Sequence, residues 1–103
     1  MLFRSPTLID FQAAWCLPCR EMERTTFRDP GVVHAMSEFT NLKADVTAQD
    51  DRAEALMGRW DVPGVPTYVL LGPDGHERRR FIGFVPVDKM LDGLREAAGA
   101  ARG

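Results

Sequence analysis

Hydrophobic and polar positions along the chain fall into short runs whose period changes repeatedly. Thr7 to Gln12 (TLIDFQ) is an apolar run behind Pro6 and reads as a buried strand carrying one acidic residue, Asp10. From Leu17 the period becomes helical. Pro18 suits a first turn, where its missing N–H is not needed, and Cys19, Met22 and Thr26 or Phe27 recur at helical spacing. A second helix is expected from Asp29-Pro30, with Asp29 as cap and Val33, Met36 and Phe39 facing inward. Asn41 to Val46 alternates and reads as a strand, and Thr47 followed by Asp50 resembles a capping start for a helix through Arg59. The apolar side of that helix would be Ala53, Leu56, Met57 and Trp60. "VPTYVLLG" (Val65 to Gly72) is a strand behind a proline, "GPDG" (Gly72 to Gly75) a turn, and "HERRRFIGF" (His76 to Phe84) a strand placed to close a hairpin. A last helix is expected over Val87 to Ala98, burying Met90, Leu91 and Leu94, with Gly93 as its weak point.

The order strand, helix, strand, helix, strand, strand, helix predicts an α/β domain: a mixed four-stranded sheet with helices on both faces. The first three strands, joined by helices, are expected to lie parallel, and the hairpin adds an antiparallel fourth. No repeat or Pro/Gly/Ser linker breaks the chain, so residues 1–103 read as a single domain.

Composition narrows the function classes. With 103 residues, 45% apolar and 27% charged, the chain is an ordinary globular one with enough length for a core of its own. The formal net charge of −2 provides no global basic field for nucleic acid, and "HERRR" (His76 to Arg80) reads as a solvated strand or turn face. No run is long enough for a membrane span, and the opening "MLFRSPTLID" lacks a leader pattern.

The chemistry concentrates in "AAWCLPCREME", residues 13 to 23, which holds the only two cysteines, Cys16 and Cys19. Three meanings compete: a structural staple, half of a metal site, or a reversible redox couple. The loop between the sulfurs is too short for a staple to add much through chain entropy. Metal binding needs about four ligands, and His34 and His76 are scattered, so no metal is expected. Arg20 stands where covalent haem attachment would need histidine, and no cofactor is expected. The redox reading gives the two sulfurs different tasks. Cys16 at a helix N-terminus is favoured as thiolate and attacks a partner disulfide; Cys19, one turn on and expected to point more toward the core, resolves the mixed disulfide.

Three further residues bear on this pair. Asp10 in a buried strand should have a raised pKa and serve as proton acceptor for Cys19; the alternative is an edge aspartate facing solvent. Glu23, one turn beyond Cys19, either lies beside the pair or is simply solvated. Pro66 opens a strand, as a cis proline that turns Val65 outward to pair with an extended substrate or as a trans proline that merely starts the strand.

Together, Trp15-Cys16-Leu17-Pro18-Cys19, Asp10, Pro66 and Gly83 resemble thioredoxin over nearly the whole chain. A narrower resemblance, carried by "TFRDPGV" (Thr26 to Val32), "ADVTAQD" (Ala44 to Asp50), "GVPT" and the Gly83-Phe84 pair, is to the C-terminal domain of DsbD-type thiol:disulfide interchange proteins. The resemblance implies a thioredoxin-like fold and a protein-disulfide reductase. Its partners would be other thiol-disulfide proteins or domains, met as a monomer in the periplasm, with roles in isomerase reduction and cytochrome maturation. It also implies that Asp10 and Glu23 tune the cysteines, that Pro66 is cis, and that Trp15, Val65, Pro66 and Phe84 meet the substrate. Two departures stand out. Leu-Pro between the cysteines resembles the thioredoxin pair more than the DsbD one. Only nine residues precede Asp10, so the usual N-terminal strand and helix would be missing or truncated, as in a fragment of a larger membrane protein. A reducing potential of roughly −200 to −270 mV is expected. A free-standing cytoplasmic thioredoxin-like reductase and a non-catalytic binding module with a permanent disulfide are the alternatives.

Overall fold

The computed structural model describes residues 5–99; the first four residues of the opening segment read for a leader lie outside this range. The chain forms strand β1 (Thr7–Gln12), helix α1 (Leu17–Arg24), a 3₁₀ turn (Thr26–Arg28), helix α2 (Pro30–Met36), strand β2 (Thr40–Asp45), helix α3 (Asp51–Arg59), strands β3 (Thr67–Leu71) and β4 (Glu77–Ile82), and helix α4 (Val87–Gly99). The four strands make one mixed sheet in the order β2-β1-β3-β4.

One expectation about this sheet is overturned. β1 and β2 are parallel, but β3 runs antiparallel to β1, with Phe11 opposite Thr67 and Thr7 opposite Leu71. Asp45 ends β2 beside Gln12, and Thr67 starts β3 beside Phe11, so the chain leaves and re-enters the sheet at the same end. α3 and the segment 60–66 connect these two points, so the chain returns to the end it left and no crossover is completed. β4 closes the expected antiparallel hairpin on β3, with a register irregularity at Leu70/Leu71.

Side-chain alternation along β1 and β3 divides the core between the two faces. Leu8, Tyr68 and Leu70 pack with Met22, Val32, Met90 and Leu94 from α1, α2 and α4. On the opposite face Ile9, Phe11 and Val69 pack with Val62 and, from α3, Leu56 and Met57. Burial of this apolar surface is the main stabilising term. Asp29 caps α2 through Gly31 N–H (2.9 Å) and Val32 N–H (3.1 Å). In that helix the inward valine is Val32, at 0% exposure, and the expected Val33 is 51% exposed. Two adjacent valines fit the same helical period, and only packing against α4 selects between them. Leu91, expected to be buried, is only half-buried at the edge of the core. Gly93 has a positive reason to be in α4: a Cβ there would lie 2.6 Å from the Phe81 ring, so glycine lets the helix approach β4 closely.

Candidate active site

The β1–α1 junction places the two cysteines. Cys16 is the N-cap of α1, with extended backbone, and its Sγ accepts the Cys19 N–H at 3.2 Å. Pro18 sits in the first turn, as its missing donor allows. The Cα atoms are 5.3 Å apart and the two sulfurs are bonded to each other. A sulfur at a helix N-cap receives an N–H and faces the positive end of the helix dipole, and both favour the thiolate once the bond is reduced. The expected difference in exposure between the two sulfurs is not found, because both residues are 4% exposed. They share a small cluster with Ala13, Val46 and Ala53, against which Met57 and Val65 pack. What distinguishes Cys16 is its place at the cap, whereas Cys19 lies inside the first turn.

Trp15 is 54% exposed beside the pair, held by its indole N–H donating to the Thr47 carbonyl at 3.1 Å. Thr47 Oγ1 accepts the neighbouring Ala14 N–H at 2.8 Å and donates to Asp45. Thr47 therefore does not start α3 as expected; Asp50 is the cap, accepting the Ala53 N–H at 3.0 Å. Nothing in the spacing of Thr47 distinguishes a helix cap from a clamp on a segment more than thirty residues away.

Asp10 lies on the α1 side of the sheet, directly opposite Tyr68 on β3 and Lys43 on β2. Its Oδ1 is fully enclosed and has no hydrogen-bond partner. Burial raises its pKa to about 6; Lys43 opposes the rise and the Glu23 carboxylate adds to it. The same burial, with Asp10 and Glu23, pushes the Tyr68 phenol upward. Asp10, Glu23 and Lys43 line a common cavity of about 260 Å³ with Leu8, Phe27 and Met36. Glu23 is itself solvent-exposed, and it also lines a second opening with Cys19, Gln12 and Arg20. It thus stands between the cavity of Asp10 and the one that reaches Cys19.

Across from the cysteines the Val65–Pro66 peptide is cis. Pro66 is buried, and its carbonyl accepts the Gly83 N–H at 2.9 Å, where Gly83 adopts φ +92°, a conformation that favours glycine. Val65 is half-buried and takes part in none of the backbone hydrogen bonds of turns and loops among the described residues. The loop after β4 is tied to α1 and to the 3₁₀ turn: Val85 N–H meets Met22 Sδ at 3.3 Å, and Val85 O accepts from Thr26 Oγ1 at 2.7 Å. Phe84 is left 48% exposed. Trp15 and Val65 line one groove, and neither Pro66 nor Phe84 is part of its lining.

Lys43 and Thr47 were not recognised from the sequence. Lys43 sits opposite Asp10 only by strand register, and a single sequence carries no local signal for such a pairing. Among the described residues no group of three or more His, Cys, Asp or Glu is placed to hold a metal ion.

Comparison with known proteins agrees with this geometry. The family model described as Thioredoxin-like matches residues 4–73. A thiol:disulfide interchange protein DsbD from Pseudomonas fluorescens is 40% identical over 86 residues, covering 82% of this chain and 15% of that protein. One from Ralstonia nicotianae is 38% identical over 98 residues, covering 94% of this chain and 16% of that protein. The chain therefore spans about a sixth of the length of these curated relatives. Among solved structures, the oxidised C-terminal domain of Neisseria meningitidis DsbD superposes with a TM-score of 0.77 at 31% identity, covering 91% of this chain and 81% of that one. The chain belongs to the thioredoxin-like family and is similar to the C-terminal domain of DsbD.

Proposed function

We propose that the protein is a thiol-disulfide oxidoreductase that reduces partner disulfides through Cys16 and Cys19, as the C-terminal domain of a DsbD-type protein facing the periplasm. The observation that carries this reading is Cys16 at the N-cap of α1, its sulfur accepting the Cys19 N–H and bonded to Cys19. In the reduced protein the Cys16 thiolate attacks one sulfur of a partner disulfide. A bond forms between Cys16 Sγ and that sulfur, and the partner's other sulfur leaves as thiolate. Cys19 then gives its proton to Asp10, directly or through water, and attacks Cys16 Sγ. The Cys16–Cys19 bond re-forms and the partner's second sulfur leaves. The partner gains two electrons and, from solvent and Asp10, two protons.

Three features support these roles. Asp10 has an enclosed carboxyl whose pKa of about 6 suits a base working near neutral pH. Glu23 adds negative charge beside Asp10 and reaches the opening at Cys19. Both acidic groups disfavour a strongly acidic thiol and so favour a reductant over an oxidant. Trp15, Val65, Pro66 and Phe84 frame the approach of the partner, an extended segment of another thiol-disulfide protein or domain. No described helix is long and apolar enough to cross a membrane, so membrane attachment would come from other parts of such a protein.

The test is trapping. With the Cys19→Ala protein, a disulfide-bonded partner should accumulate as a mixed disulfide at Cys16, seen as a covalent adduct that dithiothreitol releases. Cys16→Ala should trap nothing. Equal trapping by both variants would overturn the assignment of roles, and failure of mild reduction to release titratable thiols would make the pair a permanent disulfide.

A further inference from the structure

A groove of about 570 Å³ begins at Trp15 and runs along α3 to the segment 63–65. Its floor is apolar, built from Val46, Ala53, Met57 and Val62. Val46, Ala53 and Met57 belong to the cluster that packs around Cys16 and Cys19, so the floor is continuous with the surroundings of the sulfurs.

The rim is not neutral. Glu54 is the single charged residue lining the groove, and Gln49 is its polar neighbour. Glu54 is exposed, and it makes no ion pair among the described residues. Asp50 and Asp51 at the start of α3 and Asp61 beyond its end are also exposed, whereas Arg52 and Arg59 of the same helix do not line the groove. Arg80 lies against Asp61, so the charge left at the groove is that of Glu54, a carboxylate at the edge of an apolar floor with Asp50 and Asp51 at the start of its helix.

We propose that this groove seats the partner segment flanking the attacked disulfide, that the segment is extended and apolar, and that it carries a lysine or arginine which Glu54 selects. The proposal rests on the thiol-disulfide reading above and adds to it the charge of the substrate. Charge complementarity at an exposed rim acts mainly on association, so it should appear in kcat/KM and weaken with salt.

The test uses the reduced full chain and two disulfide-linked peptides of identical apolar sequence, one with lysine and one with glutamate three residues from the cysteine. The unsubstituted protein should reduce the lysine peptide about 3- to 5-fold faster in kcat/KM at low salt, with the preference collapsing at high salt. Glu54→Gln should remove the preference and Glu54→Lys should reverse it. Glu38→Lys makes the same charge change at the opposite end of the sheet, beside Thr40, and should keep the preference. Equal rates for the two peptides, or the same loss of preference in Glu38→Lys as in Glu54→Lys, would overturn the proposal. Hydroxyethyl disulfide, small and uncharged, separates the two levels: if the unsubstituted protein does not reduce it, the dithiol reading itself fails, and if it does while the peptides are not distinguished, only the charge selection fails.

Discussion

Two charged regions of the molecule follow opposite rules. On the β4 side, Arg78, Arg79 and Arg80 reach carboxylates around them. Arg79 Nη1 lies 2.7 Å from Glu96 and 3.5 Å from Asp92, with its guanidinium 4.8 Å from the centre of the Phe81 ring. Arg80 meets both oxygens of Glu77, at 2.8 and 2.9 Å, and Arg78 meets Asp74 at 2.9 Å. Behind the cysteines, Asp10 has an enclosed oxygen with no hydrogen bond and a pKa of about 6. A paired surface charge is held in its charged form, as the Arg80 hydrogen bond holds the Glu77 carboxyl below its usual range, and it contributes little beyond local order. An unsatisfied buried one costs stability and acquires an acid strength near neutrality. The difference separates charge that serves the fold from charge available for chemistry.

The largest effect that sharpens this contrast should come from Asp10→Asn. Resolution of the mixed disulfide by Cys19 should slow by about 100-fold near pH 7, measured by single-turnover release of the partner. Stability should move the other way. The folded protein holds the Asp10 proton with a pKa of about 6 against an ordinary 3.8, so folding binds a proton more tightly than the unfolded chain does. The contribution is complete below about pH 4 and lost as pH rises through about 6, amounting to as much as about 3 kcal/mol. Denaturant midpoints of the unsubstituted protein should therefore fall over that window relative to Asp10→Asn. Parallel pH curves for the two proteins would contradict the buried assignment.

A smaller and more discriminating effect concerns the neighbours. Lys43→Met should move the midpoint of the Asp10-dependent rate profile to higher pH, and Glu23→Gln to lower pH, each by less than about one pH unit. The opposite signs are the point of the experiment. Shifts in the same direction would mean that the substitutions act through structure instead of charge.

The smallest effect should come from the β4 region. Arg79→Ala removes two partly exposed ion pairs and the contact over Phe81, and should lower stability by about 1 kcal/mol or less. High salt should narrow the gap, and the rate of disulfide exchange should stay as it was. A loss of exchange activity at unchanged fold would break the comparison.

Much of this arrangement was legible in the sequence, for local reasons. The β1 segment, the Pro18 turn, the Asp29 cap and the "GPDG" hairpin turn are each set by residues within a few positions of one another. Sheet polarity was less legible. A helix between two strands usually completes a parallel crossover, and nothing in Trp60–Pro66 announces that the chain turns back instead. The choice between Val32 and Val33 depends on what lies opposite α2. At the site, the cysteine pair and Asp10 stand out by type and spacing. The pairing of Lys43 with Asp10 and the hold of Thr47 on Ala14 and Trp15 arise only when distant strands come together.

The antiparallel ladder between β1 and β3 has a consequence for how tolerant this domain is of change. Phe11 opposite Thr67 fixes the Pro66 loop against the cysteine turn, while Asp10 opposite Tyr68, one rung away, fixes which face receives the buried carboxyl. A slip of one residue in β1 would send Asp10 to the α3 face and move the loop relative to the sulfurs at the same time. The Pro66 loop facing the cysteine turn and the buried Asp10 carboxyl thus share a single alignment. Insertions or deletions inside β1 or β3 would disturb both together.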